Sequence, residues 1–269
     1  MIVVNKQDFL DTYKTKIFGI RALTKIRNWL PLEESSFLAK IVAYLITDGH
    51  LQIKLSKRGS KKYSYAGVFS KNKEELNEFL KDVNSIFKIK GKIRSWGKRK
   101  FGFSIGCIIT NSSFCRIMNL CGVPEGNKTD KTFDIPFWVK NSNNNEIIKA
   151  FLRKCFDCDG TIRCDKKSNR WKISFYMTKT EDNLRGAYIF LSSMKKLLNN
   201  LDIETTNIVL KKDIENIRKD GKITKSFWFD IKSKSLIKFC NIIGTYNKNK
   251  LKRIKRIIKG RDNPMGHLH

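Results

Sequence analysis

The 269-residue chain carries 55 Lys and Arg against 25 Asp and Glu, a formal net charge of +30. Hydrophobic residues make up 41% of it, enough for a real core, and seven irregularly spaced cysteines argue against a disulfide framework. So large a cationic excess favours a polyanionic partner, nucleic acid being the commonest. No long apolar span or signal-peptide pattern is present, so no membrane role and an intracellular location are expected.

In chain order, Phe9, Tyr13, Ile17 and Ile20 recur at helical spacing, so residues 1–34 read as a helical lead-in broken at Pro31. Ser35 or Ser36 can cap the next helix, which runs through Leu38, Ile41, Val42 and Leu45 to Asp48. From His50 the period becomes two: Leu51, Ile53 and Leu55 face one way, Gln52, Lys54 and Ser56 the other. A second strand near 63–70, a helix over 74–87, strands near 89–96 and 101–110, and a helix over 112–120 follow.

The same order then repeats. A helix over 146–159 leads to strands at 161–165 and 170–177. Thr180 can cap the helix that reaches Leu198. Strands near 203–211 and 225–232 and a helix over 235–243 complete the copy. Ser70-Lys71 matches Thr178-Lys179, Leu76 matches Leu184, Asn119 matches Asn241 and Gly122 matches Gly244. The Pro- and Asn-rich stretch 122–145 reads as the connection between copies. The predicted fold class is α+β: two pseudo-symmetric αββαββα halves at 35–140 and 141–244, each with a four-stranded antiparallel sheet. Residues 245–269 read as a basic C-terminal helix and a disordered tail, the helix offering Lys248, Lys250, Lys252, Arg253, Lys255, Arg256 and Lys259 to phosphate or to solvent.

Both copies open with an apolar or small-residue helix that ends in Asp-Gly: IVAYLITDG at 41–49 and LRKCFDCDG at 152–160. Glycine just past a helix is the usual left-handed cap. The carbonyl end of a helix carries partial negative charge, so a carboxylate there, Asp48 or Asp159, calls for a cation. The C-x-x-C at Cys155 and Cys158 lies inside this helix with no histidine nearby, which favours packing over zinc. With histidine only at 50, 267 and 269, histidine-based nuclease chemistries lack material.

The paired stretches resemble the doubled signature of the LAGLIDADG homing endonucleases. The resemblance implies a saddle of two sheets on double-stranded DNA, and a metal site built from Asp48, Asp159, Gly49 and Gly160 that takes Mg²⁺, or Mn²⁺ in its stead. It implies hydrolysis of one phosphodiester on each strand of a long asymmetric site, by a monomer because both motifs share one chain. Asp157 sits two residues back and is expected to act locally.

The outward residues Gln52, Lys54, Lys90, Lys92, Arg94, Arg163, Arg170 and Lys172 suit phosphate and base contacts. The family also places a lysine on the last strand of each half, near the attacking water. Lys232 takes that place in the second half, but the first has Thr110, so Lys100 or Lys98 is expected to reach in from the turn, or the two sites are unequal. A second departure is Lys154, in a helix seam where the family favours small residues. These departures leave an alternative, an intron RNA maturase or a non-cleaving DNA-binding protein on the same scaffold. No splice-junction residues flank the motifs, so a free-standing protein is expected over an intein.

Overall fold

The computed structural model describes residues 1–53, 64–99, 102–165, 170–211 and 216–262. The chain divides into two compact units, Met1–Lys128 with Pro136–Phe151, and Thr129–Ile135 with Leu152–His269. Among the described residues no helix is long and apolar enough to cross a membrane.

The first unit begins with β1 (Ile2–Val4), α1 (Lys6–Asp11), α2 (Lys16–Lys25) and β2 (Leu32–Glu33). β1 and β2 pair antiparallel, which the helical reading of residues 1–34 did not foresee. The expected apolar stripe is also divided. α1 ends at Asp11, where the Thr12 hydroxyl donates to the Phe9 carbonyl at 2.7 Å, and Phe9 is buried while Ile17 and Ile20 on α2 are exposed.

Next come α3 (Ser36–Ile46), β3 (Gly49–Gln52), β4 (Tyr65–Ser70), α4 (Lys73–Phe87), β5 (Lys92–Arg99), β6 (Gly102–Ile109) and α5 (Ser112–Leu120). As expected, Ser35 caps α3, its Oγ accepting from the Leu38 amide at 3.1 Å. The sheet order is β3-β4-β6-β5, all neighbours antiparallel. The core lies between the helices and one face of this sheet, with Tyr44 edge-on to Phe79 and Phe87 edge-on to Phe114. The connection then forms a short helix, α6 (Phe137–Lys140), whose Trp138 donates to the Cys121 carbonyl at 3.0 Å.

α7 (Asn145–Asp159) opens the second copy, and the boundary between units falls within it. β7 (Gly160–Asp165), β8 (Arg170–Thr180), α8 (Leu184–Asn200), β9 (Val209–Leu210), β10 (Asn216–Ile217), β11 (Ile223–Asp230), α9 (Leu236–Ile242) and α10 (Lys248–Asp262) follow. The sheet runs β7-β8-β11, with β9 and β10 both on the outer edge of β11. Phe156, Phe175, Phe229 and Phe239 pack ring to ring in the core. Residues 129–135 belong here because the buried Lys179 donates to the Lys131 carbonyl at 2.6 Å and Arg218 pairs with Asp130 at 2.6 Å.

Three expectations for this copy change. The strand predicted over 203–211 is broken: the Thr206 hydroxyl accepts the Asp230 amide at 2.9 Å, replacing a ladder bond, and regular pairing resumes only at Val209. Thr180 ends β8 instead of capping α8, whose start is Leu184. The Ser70–Thr178 match is off by one, because register sets Ser70 opposite Ile105 and its counterpart Met177 opposite Phe227. The Gly122–Gly244 match holds, both residues having positive φ (97° and 61°) past the last helix of a copy.

Candidate active-site elements

In the first unit every residue of α3 from Leu38 to Ile46 except Lys40 is buried. The helix stops at Ile46, short of the predicted Asp48, because the backbone leaves the helical region at Thr47 (φ −87°, ψ −91°), whose hydroxyl donates to the Ala43 carbonyl at 2.8 Å. Asp48 is exposed in the following turn, and Gly49 starts β3. Gly49 is not the left-handed cap that the sequence suggested. Its φ is not positive; instead, a Cβ there would lie 2.6 Å from the Leu45 Cα and 3.0 Å from the Tyr44 and Leu45 carbonyl oxygens. Glycine is required because the strand leaves flush against the helix.

The second unit repeats this with different side chains. Asp159 ends α7, half-buried, and a Cβ on Gly160 would lie 2.0 Å from Phe156 Cδ2 and 2.7 Å from its carbonyl oxygen. Asp157 acts locally, as expected, accepting from the Thr245 hydroxyl and, at 3.3 Å, from the Tyr246 amide. Burial pushes its carboxyl up, while the Thr245 bond and the charge of Lys154 work against that rise. Lys154 itself is 4% exposed, so it does not snorkel to water; its charge lies near Asp157.

Each motif helix receives an ammonium at its carbonyl end. Lys128 donates to Leu45 O at 3.1 Å and to Thr47 O; Lys250 donates to Phe156 O and, at 2.8 Å, to Asp157 O. Lys128 did not stand out in the sequence, and Lys250, expected on the basic C-terminal helix to meet phosphate or solvent, instead turns onto its own motif helix. The signal was present, for the offset from Lys128 to Lys250 equals that from Gly122 to Gly244.

Register sets Thr110 level with Lys232. Gly49, Val68 and Cys107 stand level across one sheet, and Gly160, Phe175 and Phe229 across the other. Thr110 and Lys232 lie the same distance beyond Cys107 and Phe229. Lys232 is not on β11, which ends at Asp230; it is exposed, its amide donating to the Glu204 carbonyl and its Nζ to Glu204 Oε2 at 3.1 Å. Lys234 and Lys232 hold the Glu204 carboxyl below its usual range. Lys98 is on β5, and Lys100 lies outside the described residues.

On the outer sheet face of the first unit, Lys92 and Arg94 are exposed on β5. Lys90 is exposed in the loop before β5 and not on the strand, which starts only at Lys92. Gln52 is half-buried and donates to Glu125 Oε1 at 2.9 Å. Lys54 lies outside the described residues. His50 stacks on Tyr65, and burial, then Lys128, holds its imidazole below the usual pKa.

In the second unit Arg163 and Arg170 are exposed, while Lys172 pairs with Asp165 at 3.6 Å. The sequence reading passed over an aromatic plate there: Tyr176 and Trp228 stack with centroids 6.2 Å apart, and Arg163 lies over Trp228 at 5.8 Å. Strand parity could have found it, since Trp228 shares the outward face of β11 with Ser226 and Asp230.

The LAGLIDADG-like domain family matches residues 146–258, from the start of the second motif helix into α10. Residues 146–258 are a LAGLIDADG-like domain. The fold of the chain as a whole is that of the homing endonuclease I-WcaI, solved bound to its DNA recognition sequence, with a TM-score of 0.50, 15% identity, and 93% of this chain and 98% of that one covered. Among curated proteins, the replication factor C small subunit of Methanocaldococcus jannaschii is 30% identical over 190 residues, 69% of this chain but 10% of the subunit. The tRNA-splicing ligase RtcB of Methanopyrus kandleri is 26% identical over 218 residues, 72% of this chain and 21% of the ligase.

The two helix ends have donor chemistry that suits a hard divalent cation. Their carboxylates are reachable, Asp48 exposed and Asp159 half-buried, and both stand at helix carbonyl ends. Gly49 and Gly160 contribute close packing, which fixes the neighbouring acid.

Proposed function

We propose that the chain is a site-specific DNA endonuclease that hydrolyses one phosphodiester on each strand of a long asymmetric duplex, with Mg²⁺ as cofactor. What carries the reading is the repeated helix end, a reachable aspartate followed by a glycine pressed against the preceding turn. The DNA bound to I-WcaI and the matching of one segment to two otherwise different proteins, over only 10% and 21% of their lengths, support a mobile nuclease module.

Asp48 and Asp159 would each serve as a ligand to Mg²⁺, whose chemistry is to activate water and to steady the leaving oxygen. The close-packed glycines keep each aspartate from shifting. Lys232, steadied by Glu204, would orient water in the second half, and Thr110 offers no such cation in the first. The strand served by the second half is therefore cut faster. Lys92, Arg94, Arg163 and Arg170 neutralise phosphates, and the Tyr176–Trp228 plate gives a flat apolar surface to the duplex.

The test is cleavage of plasmids that carry uninterrupted genes from the host genome, with Mg²⁺. Asp48→Asn and Asp159→Asn should each abolish double-strand cleavage and leave duplex affinity within about threefold, because the isostere keeps the side chain's shape while weakening metal coordination. Cleavage that survives both substitutions would overturn the assignment.

A further inference from the structure

Lys128 and Lys250 belong to different copies, yet do one thing in one place. Each follows a positive-φ glycine, Gly122 or Gly244, at the same remove, and each returns to the last turn of its motif helix. The acceptors correspond: Leu45 O in one copy and Phe156 O in the other both lie just inside the Asp-Gly. Lys250 is fixed from below, because Asn247 caps α10 by accepting the Asn249 amide at 3.1 Å and the Lys250 amide at 3.2 Å.

The side chains around the two contacts share nothing else. Leu45 answers to Phe156, Thr47 to Cys158 and His50 to Thr161. A lysine retained in both settings is tied to what the settings have in common, a helix carbonyl end followed by a motif carboxylate. That end holds about half a negative charge from the backbone and a full one from the aspartate. Without an ion, such an end is self-repelling.

We propose that Lys128 and Lys250 are placeholder counter-ions, positioning residues that neutralise the motif helix ends when no divalent cation is bound and that oppose its binding when it arrives. The inference rests on the metal-dependent reading above. Coupling of this kind is reciprocal: if the ammonium weakens metal binding, metal offsets the loss of the ammonium. The lysines thus neutralise the carbonyl ends that precede the two aspartates while keeping the metal loosely bound.

The experiment titrates Mn²⁺ into the DNA-free full chain by calorimetry, with Asp48→Asn and Asp159→Asn to identify binding at the motif ends. Lys128→Met and Lys250→Met should bind Mn²⁺ roughly three- to tenfold more tightly, the scale of removing one like charge near a solvent-exposed site. They should also gain more in melting temperature on Mn²⁺ addition than the parent chain does. Lys128→Arg and Lys250→Arg, which keep the charge, should match the parent. If a Met variant does not fold, Lys→Gln takes its place, with the same expectation. Equal or weaker Mn²⁺ binding in the neutral variants, with the aspartate-dependent site intact, would overturn the counter-ion role and leave only a helix cap. Absence of any aspartate-dependent Mn²⁺ binding in the parent would overturn the nuclease reading and this inference together.

Discussion

Gly49→Ala discriminates between two reasons for a glycine. The added Cβ would sit 2.6 Å from the Leu45 Cα and 3.0 Å from two carbonyl oxygens, where carbon contacts normally begin near 3.5 Å. All three obstructing atoms are backbone, so no rotamer change relieves them, and β3 must move away from α3 by nearly an ångström. Overpacking costs about 1–3 kcal/mol and a backbone clash belongs at the upper end, about 3 kcal/mol. At roughly 2–4 °C per kcal/mol for a chain of this size, the melting temperature should fall by roughly 6–12 °C. Gly244 is the reference. Its φ is +61° and a Cβ there meets only the Cys240 carbonyl at 3.2 Å, so alanine costs about 1–2 kcal/mol through conformation. Asparagine tolerates the left-handed region, so Gly244→Asn should recover part of that loss. Gly49→Asn should recover nothing and should be at least as damaging as Gly49→Ala. Thermal unfolding of the four variants decides the matter, and a Gly49→Asn protein more stable than Gly49→Ala would refute the steric account.

Further outcomes follow from the same geometry. Thr110→Lys should raise the slower nicking step by about tenfold or more, read as a shorter-lived nicked intermediate on a supercoiled plasmid. Arg94→Ala and Arg163→Ala should each weaken duplex binding and lower the slope of log affinity against log salt by about one, since each removes a single phosphate partner. Asp157→Ala should cost about 1–3 kcal/mol in denaturant unfolding, because the Thr245 hydroxyl and Tyr246 amide lose their acceptor. Asp159→Ala should cost less.

The repeat was legible because its landmarks use residues with few substitutes. Gly122 and Gly244 need positive φ, and Ser35 offers the α3 amides an acceptor. Sheet parity was legible where one face is buried, as at Ile173 and Phe175. Other features share a residue type between two physical causes. Gly49 is the same letter whether it ends a helix left-handedly or makes room for a strand, and only the distance to Leu45 separates them. Thr206 reads as a strand former, but its hydroxyl takes a ladder position and breaks the strand. Lys128 and Lys250 were submerged in a chain with 55 Lys and Arg, where a single cation carries little information until its acceptors are known.

What the two units keep and what they change divide along a chemical line. They keep the backbone event at the motif: acid, pressed glycine, returning ammonium. They change the outer face, where His50, Gln52 and Tyr65 in one answer to Thr161, Arg163 and Lys172 in the other. Under the proposed activity this division has a cause. Phosphodiesters are alike on both strands, so the groups that act on them have one solution. The bases of an asymmetric site differ from half to half, so the groups that read them cannot share one. Thr110 and Lys232 are the exception, a difference on the chemical side of the line. The pressed glycine and the returning lysine also serve the fold, so the difference between Thr110 and Lys232 is the feature that bears on cutting. Under the proposed activity that difference gives strand cleavage at unequal rates, and the relief of the inequality by Thr110→Lys is the outcome that this reasoning requires.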